Sequence, residues 1–214
     1  MNATMSLEKL KHYPVMLKQV LSIISPQHGG TFIDCTFGAG GYSKAILEFP
    51  NTKVIAFDRD SKVYPIAKKL YNKFPGRFNF INDKFSNISK NTKLNCYPKA
   101  IIFDLGISSL QLEDLERGFS FNSKSRLDMQ MGLNEFSALE VVNHLDLKKL
   151  SKIIKILGEE KDGKKIANKI YKERRIKKLK FTHELTKIIC SIKNKNLKKK
   201  IHPATKTFQA IRIL

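Results

Sequence analysis

An α/β fold, built on a parallel, doubly wound sheet and interrupted by an inserted helical domain, is what this chain predicts. Three observations carry that expectation. Short apolar runs alternate with stretches of helical period up to about residue 110; a glycine turn follows the first run directly; and past Gln111 strand candidates stop while lysine-rich helical patterns begin. The expected boundaries are a ligand-binding domain over residues 1–110, continued by 201–214, and a helical, basic insertion over 111–200.

The first apolar run and its turn organise the rest. Thr31, Phe32 and Ile33 are strand formers, Asp34 ends the run, and Gly38, Gly40 and Gly41 free the backbone before a helical pattern opens at Tyr42. In an open α/β sheet such a turn lies at the carboxyl end of the strand, where ligands bind, and residues without Cβ let a ligand approach the main chain. A nucleotide-like ligand is therefore expected. A dinucleotide fingerprint needs a small third residue, which Ser43 supplies imperfectly. Adenosylmethionine has no pyrophosphate to cradle, and Asp34 just ahead of the glycines suits it better. A purely structural tight turn is the third reading.

The remaining elements follow in order. The segment from His12 opens His-Tyr-Pro-Val and then places Met16, Leu17, Val20, Leu21 and Ile24 at helical spacing, so a helix begins near Val15. A helix is expected from Tyr42 to Phe49, a strand over Lys53 to Phe57 ending at Asp58, and a helix carrying Val63, Ile66, Ala67 and Leu70 on one side. Phe78 to Ile81 reads as the third strand and Ala100 to Leu105 as the fourth. Beyond an acidic, Gly-Phe-rich stretch to about Asn134, helical patterns run over Leu145 to Leu157, Gly163 to Ile176 and Leu185 to Ile192. From His202 the chain is expected to re-enter the first domain.

Composition narrows the class. With 214 residues, 42% of them hydrophobic, the chain can bury the core of one elaborated domain or of two small ones. A formal net charge of +21 and a pI near 9.9 point to a polyanionic partner; the alternative is lysine spread over solvated faces. No apolar run is long enough to span a bilayer and the start shows no basic-then-apolar signal, so a cytoplasmic protein with no membrane role is expected. Cys35, Cys96 and Cys190 lack CxxC pairing, which argues against a disulfide framework or a metal site.

Several side chains are candidates for chemistry. Asp58, at the end of the second strand, is placed to accept from the two hydroxyls of a ribose, unless it is simply a turn acid ahead of Arg59 and Asp60. In Asp83-Lys-Phe85 the acid can meet an adenine amino group and the ring can stack on the base, or Phe85 can belong to the core. Asp104 follows the buried fourth strand. Methyl transfer to an exocyclic amine needs an N–H acceptor there, which draws the ring-delocalised lone pair toward the sulfonium; alternatively Asp104 contacts the cofactor or caps the turn. Methylation at a pyrimidine carbon would need a cysteine at this place, and none is present. The clusters Arg174, Arg175, Lys177, Lys178 and Lys195, Lys198, Lys199 can contact phosphates without reading sequence, or can be a solvated face. The rings of Arg117-Gly-Phe119-Ser-Phe121 can stack on a splayed base or be buried between domains.

Taken jointly, a series of motifs resembles the ribosomal small subunit RNA methyltransferase H family, in order from near the start to the last residue. They are His12-Tyr-Pro-Val, Asp34-Cys-Thr-Phe-Gly-Ala-Gly-Gly, Ala56-Phe-Asp-Arg-Asp60, Asp104-Leu-Gly-Ile-Ser-Ser-Leu-Gln111, Glu116-Arg-Gly-Phe-Ser-Phe121, Leu127-Asp-Met129, Gly158-Glu-Glu160 and His202-Pro-Ala-Thr-Lys-Thr-Phe-Gln-Ala-Ile-Arg-Ile213. The resemblance implies a Rossmann-like, S-adenosylmethionine-dependent methyltransferase that modifies the exocyclic N4 of a cytidine in the decoding region of 16S ribosomal RNA. It also implies cofactor contacts at Gly40, Gly41, Tyr42, Asp58, Phe85, Asp104 and Gln111, the last resting on the resemblance alone; Asp104, from its place after the fourth strand, is the expected catalytic residue.

The chain departs from the family pattern with Tyr42 for His, Leu110 and Arg126 for Pro, and Lys206 for Arg. The family continues past Arg-Ile with further strands and a Ser-Phe-His-Ser motif, whereas this chain stops at Leu214. The expectation is thus a C-terminally truncated member with an incomplete sheet, whose open edge invites self-association or a partner. A catalytically inactive RNA-binding remnant is the alternative function.

Overall fold

The computed structural model describes residues 14–91, 97–133, 136–193 and 201–214; His12, Cys96, Lys195, Lys198 and Lys199 lie outside them. The chain divides into two compact units, 1–110 with 131–133, and 111–130 with 134–214.

In the first unit the order is α1 (Leu17–Ile24), β1 (Gly30–Asp34), α2 (Gly41–Leu47), β2 (Thr52–Asp58), α3 (Tyr64–Lys73), β3 (Phe78–Asn82) and β4 (Ala100–Ile102). All pairings are parallel and the strand order is β3-β2-β1-β4. The chain therefore steps outward from β1 through β2 and β3 and then returns to the other side of β1. Strand alternation sends successive residues to opposite faces. Phe32, Val54, Ala56, Phe78 and Ile102 join Leu17 of α1, Ile46 of α2 and Ala67 and Leu70 of α3 in one core. Ile33, Cys35, Phe57 and Ile81 form a smaller cluster with Ile55 and with Ile88 of the 3₁₀ turn Phe85–Lys90. The described helices of this unit thus serve one core, and the winding is partial.

The fourth strand is shorter than expected. It ends at Ile102 because the Asp104 N–H turns to the Thr36 hydroxyl (2.8 Å) instead of extending the ladder. Ile101 within it is 46% exposed, and Phe103 and Leu105 beyond it are 50% and 71% exposed.

The helix α4 (Ser109–Glu113) runs across the division of the chain. The second unit then holds α5 (Ala138–His144), α6 (Leu147–Ile156), α7 (Gly163–Ile176), α8 (Thr182–Ile192) and α9 (Thr205–Ile213). At the start of α5, Ser137 and Glu140 cap each other's backbone N–H groups in a reciprocal box. The short stretch 205–213 does not carry on the first unit's sheet: α9 packs on α6 and α5. Its Phe208, Ala210 and Ile211 are buried, the Lys206 ammonium donates to the Glu159 carbonyl (3.0 Å), and His202 stacks on Phe121 with centroids 4.3 Å apart. Among the described residues no helix is long and apolar enough to cross a membrane.

Candidate active site at the carboxyl end of the sheet

The strand order reverses at β1, so the crevice for a ligand lies where β1 and β4 end side by side. Two backbone events build it. The Cys35 N–H donates to the Ile102 carbonyl (2.9 Å), the last rung between the strands, and the Asp104 N–H then donates to Thr36 Oγ1. Thr36 thus fixes the chain just past β4, a role that nothing in the spacing of the motif announced.

Asp34, at the end of β1, is 1% exposed and accepts from the Ser43 hydroxyl (2.7 Å) and the Thr36 N–H (3.2 Å). Burial, opposed by those two hydrogen bonds, pushes its carboxyl up to about 6. The acid that precedes the glycines is thus a brace that ties the strand end to α2, and Ser43 is its partner.

Asp58, at the end of β2, reaches across to the same loop. One carboxylate oxygen accepts from the Gly38 N–H (2.7 Å) and the other from the Asp60 N–H (2.8 Å). Burial raises its pKa and these two backbone donors hold it back. A carboxylate offers about four lone-pair directions, so each oxygen retains one for a further donor.

Gly40, with φ 76°, precedes α2 in the left-handed region. A Cβ on Gly41 would lie 2.3 Å from Pro14 Cγ, so the loop runs against the segment before α1 with room for no side chain. Tyr42 follows, 7% exposed, with its hydroxyl donating to the Val15 carbonyl. Its pKa is raised, first by burial and then by the charges of Asp104 and Asp34. Only the backbone of Tyr42 is left to meet a ligand.

Phe85 is 40% exposed and meets Phe103 edge-on at 5.4 Å, so the ring is outside both cores. Asp83 is occupied locally, accepting from the Lys84 N–H (2.7 Å) and the Asn87 amide (2.9 Å). The Asp104 side chain is exposed beyond β4 rather than lying on a buried strand. Gln111, 7% exposed, belongs to the second unit. Gly40, Gly41, Tyr42, Asp58, Phe85 and Asp104 all lie in the first unit.

The cysteines answer a chemical question. Cys35 is 2% exposed and burial pushes its thiol up to about 11, which leaves no thiolate for attack on a pyrimidine carbon. Cys190 lies in the second unit.

Much of the basic and aromatic inventory has internal work. The Arg174 guanidinium donates to the Val142 (2.8 Å) and Leu145 (2.7 Å) carbonyls and so closes the end of α5. Lys177 pairs with Glu184 at 3.2 Å, and Lys193 pairs with the buried Glu160. Phe119 is fully buried within the second unit, and Phe121 is held by His202 and, edge-on, by Phe208.

A family model described as the MraW methylase family matches residues 9–214. The protein called ribosomal RNA small subunit methyltransferase H of Orientia tsutsugamushi (strain Ikeda) is 46% identical over 209 residues, covering 94% of this chain and 66% of that protein. Proteins of the same name from Ehrlichia ruminantium (strain Welgevonden) and Parvibaculum lavamentivorans are 42% and 40% identical, with 94% of this chain covering 68% and 60% of them. The chain spans about two thirds of the length of the curated relatives it matches. A match of this extent, on a sheet whose switch point gathers the glycine loop and its acids, establishes that the chain belongs to the MraW methylase family.

Proposed function

We propose that this chain carries the S-adenosylmethionine site of a cytoplasmic methyltransferase that modifies the exocyclic N4 of a cytidine in 16S ribosomal RNA. The observation that carries the reading is the convergence of the glycine loop, Asp58 and Asp104 at the switch point of the sheet. The name of the relatives supports the substrate class.

The residues present fit the cofactor. Asp58 keeps a lone pair on each oxygen for the two ribose hydroxyls, while the backbone amides of Gly38 and Asp60 hold its carboxylate still. Phe85 offers an exposed ring to the adenine, and Gly40 and Gly41, whose Cβ positions are taken by Phe37 and Pro14, have only backbone groups to offer the amino acid end. Bound there, the cofactor supplies an electrophilic methyl on a sulfonium. Asp104, its backbone pinned by Thr36, accepts an N–H of the target amine and turns the nitrogen lone pair toward that methyl. The inert Cys35 favours nitrogen over a pyrimidine carbon as the acceptor.

The test is calorimetric titration of the full chain with adenosylmethionine, paired with Asp58→Asn, whose fold is checked by circular dichroism. The reading expects micromolar binding that the variant weakens at least tenfold, about 1.4 kcal/mol. Methyl transfer to undermethylated small subunits is then expected from the parent and not from Asp104→Asn. A folded chain that binds no adenosylmethionine would overturn the reading and leave an RNA-binding remnant in its place.

A further inference from the structure

We propose that a groove between α6 and α7 is the surface on which this protein docks the phosphodiester backbone of RNA. The inference rests on the RNA-methyltransferase reading for its biological sense, but its observations lie wholly in the second unit. The groove is a cavity of about 490 Å³ lined by Leu147, Lys148, Ser151, Lys152, Lys155, Ile156, Lys164 and Asn168. Its composition is the argument: four lysines, whose stems with Leu147 and Ile156 make the walls mostly apolar, two neutral polar side chains, and no acidic residue.

That arrangement follows from helix period. Lys148, Lys152 and Lys155 are spaced four and three apart and so share one face of α6, while Leu150 and Ile154 point the other way and are fully buried. The stripe is about 10 Å long at about 1.5 Å per residue. On α7, Lys164 and Asn168 are likewise one turn apart and face the same cavity.

The acids of this helix pair are occupied by other lysines. Asp146 pairs with Lys149 (3.5 Å), Asp162 with Lys165 (3.2 Å) and Glu173 with Lys169 (2.9 Å). The positive field of the groove is thus not cancelled from within. A concave, single-signed surface concentrates counter-ions of the opposite sign, and flexible lysines serve phosphates as point charges. Leu147 and Ile156 give the lysine stems and a ribose an apolar bed.

A lipid surface suits the groove less well. The apolar face of α6 is spent in the core, so it has no stripe to insert among acyl chains. In the cluster at the end of α7, Arg174 and Lys177 are engaged by the protein itself.

The experiment measures binding of a fluorescein-labelled single-stranded RNA to the full chain by anisotropy across a salt series. It compares Lys148→Gln/Lys152→Gln/Lys155→Gln with a charge-matched control, Lys18→Gln/Lys68→Gln/Lys69→Gln, made at exposed positions of the first unit. Each phosphate contact contributes about 0.7 to the salt slope of a single strand, so the groove variant should bind about tenfold or more weakly with a slope shallower by about 2. The control should change little. Equal losses in both variants would mean that net charge alone governs binding, and no loss in the groove variant would remove the groove; either result overturns the proposal. So would loss of binding to phosphatidylserine vesicles with RNA binding intact. Adenosylmethionine calorimetry on the same samples separates the two readings, because none of the groove residues belongs to the proposed cofactor site. Its failure beside a positive groove result sinks only the methyltransferase reading, and the converse sinks only the groove.

Discussion

Asp34 shows how one carboxyl can brace a site and burden the fold at once. It is buried against Ser43 and Thr36, and its pKa in the folded chain is pushed up to about 6. An acid whose folded pKa lies above its unfolded value of about 3.9 binds a proton more tightly when folded, so stability falls as pH rises between those values and levels off above them. A shift of roughly two units corresponds to at most about 3 kcal/mol. Melting of the parent chain should therefore drop from pH 4 to pH 6 by several degrees more than that of Asp34→Asn, which cannot titrate. In the variant Asp58, raised in the same direction, still contributes a falling slope, which Glu140, Asp146 and Glu184, all lowered, oppose. Parallel curves for the two proteins would show that Asp34 is already ionised without cost. The sequence made Asp34 visible as the acid that ends an apolar run. It left Thr36 invisible, because a hydroxyl that accepts from a backbone amide 68 residues away has no local signature.

Elements were legible in proportion to their length. The helices α6 and α7 carry enough turns for their apolar period to stand out, and α7 keeps the expected bounds Gly163–Ile176. The helix α5, at seven residues, spans less than two full turns and escaped notice, although Ser137 and Glu140 stand at capping-box spacing. The stretch from His202 is expected to re-enter the first domain, with no helix named; it folds instead as α9 on α6 and α5, since an apolar stripe does not say which neighbour will receive it. Gly158 tests that neighbour. A Cβ there would lie 2.4 Å from the Lys206 carbonyl and 2.8 Å from the Ile154 carbonyl, and backbone atoms cannot swing aside. Gly158→Ala should force α9 off the end of α6 at a cost of about 1–3 kcal/mol, a fall of ~2–4 °C in Tm for each. A variant that melts with the parent would show that α9 is not clamped there.

At the scale of the whole molecule, charge sets the terms. The 40 lysines and arginines against 19 aspartates and glutamates leave +21 on 214 residues, and self-repulsion of that size opposes the compact state. Salt acts on two things in opposite directions. It screens the repulsion, and it screens exposed pairs such as Lys73–Glu48, where both side chains are about half exposed at 54% and 53%. Exposed pairs of this kind contribute about 0–1 kcal/mol each, whereas the repulsion is shared by the whole excess of positive groups. The repulsion should win. Raising sodium chloride from low to physiological concentration and beyond should therefore raise Tm, by ~2–4 °C for each kcal/mol of repulsion relieved, while affinity for RNA falls over the same range. The two trends share one cause, since the lysines that destabilise the free protein are the ones a polyanion neutralises. Single-stranded RNA added at low salt should accordingly raise Tm as binding to the folded state requires. If salt lowers Tm instead, local ion pairs hold the fold, and the positive excess is too dispersed to act as a field.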